Sequence, residues 1–213
     1  MKKILKIQKK VEKENEIKDM EVKAVQAAQE QYDIEYEEYS VCLFHPVTTE
    51  INYVIDQIEC LTESLLESGK NYIIIYPNND LGSNIIIENY NKINSEKIKI
   101  LPSIRFEYFL TILKNSQFII GNSSAGIREA PYYSIYSINI GTRQNKRDEN
   151  SMIINVDFNK KNILGAINKA SNKTDIKAIK NYGKGNSSEL FVEILNLERF
   201  WRTENQKQFQ DIN

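Results

Sequence analysis

QFIIGNSSAGIRE, residues 117–129, reads as a buried strand, a sharp Gly-Asn turn, two serines and the small-residue start of a helix. A helix amino terminus carries free N–H groups and the positive end of the helix dipole, so such a turn favours phosphate. Ser123 and Ser124 would add hydroxyl donors, and Gly126 would let a phosphate come close to the backbone. Glu129 follows Ser124 at roughly 7–8 Å along a helix. That matches the reach from a diphosphate to the ribose of the same nucleotide, whose hydroxyls a carboxylate accepts. The same residues also read as an ordinary serine N-cap on a core helix. The segment by itself does not decide between the two.

Working outward, short β-branched runs alternate with helical periodicity from Ser40 onward. The strands are expected at SVCLF (40–44), YIIIY (72–76), IKIL (98–101), QFIIG (117–121), SINIG (137–141) and MIINV (152–156). Several are apolar at successive positions, as in strands buried on both faces. Between them, Ile51, Val54, Ile55, Ile58, Leu61 and Leu65 fall at helical spacing over residues 50–68, and Gly69 can end that helix. Phe106, Phe109, Leu110 and Leu113 mark a second helix before Asn115. The alternation predicts an α/β fold, a doubly wound parallel sheet of Rossmann-like type. Ligands of such sheets bind outside the carboxyl ends of the strands, which directs attention to the strand-to-helix loops.

Composition narrows the function classes. The 213 residues are 41% hydrophobic and 27% charged, as in a soluble globular protein. A net charge of −1 gives no global attraction to nucleic acid or to an anionic membrane surface. Cys42 and Cys60 lie in expected core elements without metal-ligand spacing, and read as free thiols of a reducing cytoplasm. No apolar run reaches membrane-spanning length, and the basic start MKKILKIQKK continues into VEKENE rather than a signal-peptide core. The reading is cytoplasmic. Residues 1–38 read as a helical or poorly ordered leader, rich in Lys and Glu at first and in helix formers later.

Five loops carry distinctive chemistry. HPVTTE (45–50) holds His45, the only histidine, after the first strand. A histidine there can bind phosphate or exchange a proton near neutral pH, or be a surface residue beside a threonine cap. In PNND (77–80), Asn78 can reach a ligand, or the Asx residues simply build a turn. The main chain of PSIR (102–105) can pair with a base edge. The opening motif is the fourth loop. GTRQNKR (141–147) is the fifth, and its Arg143, nearer the strand end, suits phosphate better than Arg147, which reads as a solvated cation.

In this order and spacing, HPVTTE, PNND-GS, GNSSAGIREAPYY and INIGTRQNKR resemble the carboxyl-terminal half of UDP-N-acetylglucosamine 2-epimerases, most closely the hydrolysing type of sialic and legionaminic acid pathways. The likeness runs from about Tyr39 to the end of the chain. It implies the carboxyl-terminal half of a GT-B-like, two-domain fold. It further implies UDP contacts at Asn78, the Ile104 backbone, Ser123, Ser124, Glu129 and Arg143, with His45 near the phosphates as a cleft contact and possible acid or base. The implied reaction removes the proton beside the acetamido group, expels UDP, and adds water to the resulting 2-acetamidoglucal. The products are UDP and an N-acetylmannosamine-type sugar, formed without cofactor or metal.

One departure stands against a complete enzyme. Residues 1–44 show no βαβ pattern, and the carboxylates that do acid–base work in the family's amino-terminal domain have no counterpart here. The expectation is therefore a truncated or split enzyme, with 39–195 as the UDP-binding domain and 196–213 as a carboxyl-terminal crossover helix. Phe200, Trp201 and Phe209 would then lack their usual packing partner, which suggests a homo-oligomer or a partner chain supplying the amino-terminal domain. A non-catalytic UDP-binding domain is the alternative, and a nucleotide-sugar glycosyltransferase half is a third reading that HPVTTE and GTRQN disfavour.

Overall fold

Six parallel strands form the centre of the computed structural model, which describes residues 2–172 and 177–203. They are β1 (Ser40–Leu43), β2 (Tyr72–Ile75), β3 (Ile98–Leu101), β4 (Phe118–Gly121), β5 (Tyr136–Ile140) and β6 (Ile153–Val156), in the order β3-β2-β1-β4-β5-β6. All five ladders are parallel. The order reverses between β1 and β4, and a sheet of this kind opens its ligand crevice at that switch point. Each expected strand is present, with ends shifted by one residue at most positions.

Alternation along the strands sends side chains to two helical layers. Cys42, Tyr72, Ile74, Phe118, Ile120 and Ile138 face one layer, built from α2 (Val54–Ser68), α3 (Ser83–Tyr90) and α6 (Lys160–Ser171). Val41, Ile73, Ile75 and Ile119 face the other, formed by α1 (Lys2–Tyr32), α4 (Phe106–Lys114) and α5 (Ala125–Tyr132). Ile58, Leu61, Ile74, Ile86 and Ile120 are fully buried, and burial of each such side chain contributes about 1.5–3 kcal/mol. Burial on both faces accounts for the near-continuous apolar runs of the sequence.

The helix read at residues 50–68 is two pieces. Thr48–Tyr53 is a 3-10 segment in which Glu50 leaves helical dihedrals, and only from Val54 does an α-helix run. The Glu50 carboxylate accepts hydrogen bonds from Gln57 Nε2 at 2.8 Å and from Thr142 Oγ1. These contacts tie the segment to the loop after β5. Ile55 is exposed rather than part of the apolar face, and so is Phe106 on α4. Gly69 ends α2 at φ +66°, as expected of a left-handed cap.

The carboxyl end of α1 packs on α4. Ala28 is buried there, the Tyr32 ring meets Tyr108 edge-on at 5.7 Å, and Lys114 pairs with Glu21 at 2.6 Å. Tyr32 Oη also accepts the Arg105 N–H at 3.0 Å, which anchors the loop after β3.

By contacts the chain divides into Met1–Ile179 and Lys180–Asn213. The second unit contains α7 (Ser187–Leu195) and α8 (Glu198–Trp201). In it Trp201 is 68% exposed, donates from Nε1 to the Leu195 carbonyl at 2.7 Å, and meets the Phe200 ring edge-on. Phe209 and the rest of the helix expected to follow lie outside the described residues. Among the described residues no helix is long and apolar enough to cross a membrane.

Candidate functional site

The strand ends β1 to β5 surround a cavity of about 630 Å³. His45, Asn78, Ile104, Ser123, Ser124, Glu129 and Arg143 all line it. These residues come from five loops spread over about a hundred positions of chain, and the parallel topology gathers them at one edge. Arg147 is exposed and outside this lining.

The turn after β4 depends on close backbone approach. Gly121 sits at φ +135°, and a Cβ there would stand 2.2 Å from the Leu43 carbonyl oxygen. Asn122 follows and donates its N–H to the same oxygen at 3.2 Å. Ser124 precedes α5, yet its hydroxyl makes no capping bond. Ser123 Oγ instead accepts the Ala125 N–H at 3.3 Å, and the amides of Gly126, Ile127 and Arg128 bond to the carbonyls of Ser123 and Ser124. The Ser124 hydroxyl is thus not spent on the helix, which removes the ordinary N-cap reading for that residue. Among the described residues, the N–H groups of Ser123 and Ser124 have no hydrogen-bond acceptor.

The expectation for Gly126 is corrected. A Cβ at this position would lie 2.3 Å from Ser137 Oγ, on β5 beneath the helix. The missing side chain lets α5 sit close on the sheet, rather than admitting a phosphate.

His45 is 5% exposed, so it is not a surface residue beside a threonine cap. Its Nδ1 accepts the Asn78 N–H at 3.2 Å. Burial, aided by the charge of Arg143 and opposed by Asp80, lowers its pKa to about 4. At neutral pH the ring is therefore uncharged, with Nδ1 accepting and Nε2 carrying the proton. It is equipped to donate a hydrogen bond rather than to trade a proton near pH 7.

Arg143 donates from Nη1 to the Asn122 carbonyl at 3.0 Å. Its pKa is lowered by burial, with Asp80 opposing and Arg147 adding to the shift. Glu129 is half-buried, and its Oε2 is a buried acceptor without a partner among the described residues. Burial raises its pKa, while its own backbone N–H and Arg128 act in the other direction. Leaving such an oxygen unpaired costs about 1–3 kcal/mol, a cost that a ligand hydroxyl would remove. In the loop after β3, Ile104 offers main-chain groups beside the exposed ring of Phe106 at the cavity edge.

Two residues of the site escaped the sequence reading. Asn122 had the look of a turn residue, and its bonds to His45 span 77 positions, which no local pattern reveals. Phe106 enters the sequence reading only as one of the apolar residues at helical spacing, yet it is 63% exposed and lines the cavity.

A model of the UDP-N-acetylglucosamine 2-epimerase family matches residues 7–196. The chain is 42% identical to the UDP-N-acetylglucosamine 2-epimerase of Neisseria meningitidis serogroup B over 193 residues, 89% of this chain and 51% of that protein. It is 32% identical to the UDP-N,N'-diacetylbacillosamine 2-epimerase (hydrolyzing) of Legionella pneumophila, over 73% of this chain and 42% of that one. In fold it is similar to the Methanocaldococcus jannaschii UDP-GlcNAc 2-epimerase solved with UDP-GlcNAc and UDP. The TM-score is 0.64 at 20% identity, with 83% of this chain and 52% of that chain covered. The chain spans about half the length of the curated relatives it matches.

Proposed function

The chain belongs to the UDP-N-acetylglucosamine 2-epimerase family, and from that premise we propose that its cavity holds the UDP portion of a UDP-N-acetylhexosamine during hydrolytic 2-epimerisation. The observation that carries the reading is the gathering of Ser123, Ser124, His45 and Arg143 in the lining of one nucleotide-sized cavity, which also holds the Glu129 oxygen that has no partner among the described residues. In this assignment the diphosphate meets the serine N–H and hydroxyl groups, the Nε2–H of His45 and the guanidinium of Arg143. The ribose hydroxyls donate to Glu129 Oε2, and the uracil pairs with the Ile104 backbone against the Phe106 ring. The residues given this role all fall within the unit Met1–Ile179, inside the span 39–195 read from the sequence as the UDP-binding domain.

The chemistry follows from where charge develops. Removing the proton beside the acetamido group and breaking the bond from the sugar to the diphosphate places negative charge on UDP. Arg143, the serines and neutral His45 are fixed donors for that charge, and loss of one such donor typically costs about 10²–10³ in rate. Water addition to the unsaturated sugar then completes release of an N-acetylmannosamine-type product for nonulosonic acid synthesis in the cytoplasm. A relative named polysialic acid biosynthesis protein P7, 34% identical over 82% of this chain, supports that pathway.

A second reading also has an observation in its favour. Among the described residues lining the cavity, Glu129 is the one carboxylate, and the ribose occupies it. The proton-transfer carboxylates are therefore proposed to come from an amino-terminal Rossmann-type domain, on the same polypeptide or a partner chain. This chain by itself would then hold UDP without turnover. An assay of UDP-N-acetylglucosamine with this chain alone, and with an added amino-terminal domain of a relative, separates three readings. Sugar release by the chain alone supports a self-sufficient enzyme, release only in the mixture supports the divided site, and binding without release in either supports a UDP-binding domain.

A further inference from the structure

We propose that Asn122 is the positioning residue of this site, fixing the His45 peptide with its carboxamide so that the imidazole is held as a neutral Nε2–H donor. The use made of that donor rests on the reading of the cavity as a UDP site; the geometry does not.

Asn122 is 1% exposed and directs its polar atoms to the strand-end loops. Its Oδ1 accepts the His45 N–H at 2.7 Å, and its Nδ2 donates to the His45 carbonyl at 2.8 Å. One planar carboxamide thus grips both sides of a single residue in the loop after β1. The Asn122 carbonyl accepts Arg143 Nη1 at 3.0 Å and Gln144 Nε2 at 2.9 Å, from the loop after β5. Its N–H is held by Leu43 at the end of β1. The His45 ring is oriented in turn by the Asn78 N–H, from the loop after β2. Asn122 therefore sets the backbone of one cavity donor, His45, and receives the guanidinium of another, Arg143.

The residue type is decisive. The grip needs an acceptor and a donor on one short planar group, which asparagine supplies. Aspartate keeps the size but turns an acceptor toward the His45 carbonyl. An asparagine serving only its own turn would bond to neighbouring backbone, whereas these bonds cross 77 positions to His45, a residue that lines the cavity.

With a single histidine in the chain, the imidazole ¹⁵N spectrum reports His45 alone. At pH 7 the unaltered protein is expected to show one tautomer, with Nε2 protonated and Nδ1 bare. Asn122→Asp and the smaller Asn122→Ser are expected to give averaged tautomers and a loss of UDP affinity of about tenfold or more. Asn139→Ala, which removes a buried asparagine bonded across β5 and β6 to Asn155 at 2.7 Å, serves as the structural control and keeps both signals. Averaged tautomers or an Nδ1–H ring in the unaltered protein overturn the proposal, even if neither Asn122 variant folds. An unchanged tautomer in a folded variant overturns it too. If the unaltered protein shows the expected tautomer but does not bind UDP, the nucleotide reading fails and the positioning role stands.

Discussion

A Cβ placed on Gly126 would stand 2.3 Å from Oγ of Ser137, so the second residue of α5 is packed against the sheet. Gly126→Ala should destabilise the fold by about 1–3 kcal/mol through overpacking. The Ser137 Cβ lies at a tolerable 3.4 Å, so Ser137→Ala should restore much of the loss. Denaturant unfolding of the four proteins of this cycle measures the coupling. Additive effects would show that the glycine serves something other than packing.

His45 gives a pH dependence of defined sign. Its pKa falls from an ordinary 6.5 to about 4 on folding, chiefly through burial. The unfolded chain then binds more protons between those values, so stability is full above the unfolded pKa and declines as pH drops through the window. The loss is on the order of 3 kcal/mol when complete. Comparing unfolding of the unaltered protein and His45→Gln at pH 7 and pH 4.5 isolates it from carboxylate titration. The unaltered protein should lose more stability than the variant over that interval.

Glu129→Gln tests the ribose assignment. A hydroxyl donating to a carboxylate contributes about 1.5–3 kcal/mol, so UDP affinity should fall by roughly 10- to 100-fold. Folding stability should hold steady or rise, because burial already disfavours the charged form and Oε2 has no protein partner to lose. With 2′-deoxy-UDP in place of UDP, the difference between the two proteins should shrink.

Arg143→Ala should weaken UDP binding more than uridine binding, since the guanidinium is assigned to phosphate. Binding of both ligands, measured at two salt concentrations, checks this. A matching loss for uridine would place Arg143 in loop architecture through its bond to Asn122.

The fold was legible because its signals are local. Apolar runs such as residues 72–76 and 117–121 announce strands buried on both faces, and the helical period of Val54, Ile58, Leu61 and Leu65 survives in the buried face of α2. Topology then placed all seven candidate residues around one cavity, since parallel strands deliver their loops to one edge. What stayed hidden depends on distant partners. Gly126 meets Ser137, Glu50 is drawn from helical geometry beside Thr142, and Asn122 reaches His45, each through a contact that only the folded sheet creates. Periodicity also misplaced Phe106 and Ile55, since an apolar residue at helical spacing can still face solvent or a ligand cavity.

Calorimetric titration of the chain with UDP, alongside Ser124→Ala and Glu129→Ala, tests the central claim most directly. The account predicts saturable 1:1 binding that each substitution weakens by about tenfold or more. No binding by the unaltered chain, or binding that neither substitution changes, would contradict it.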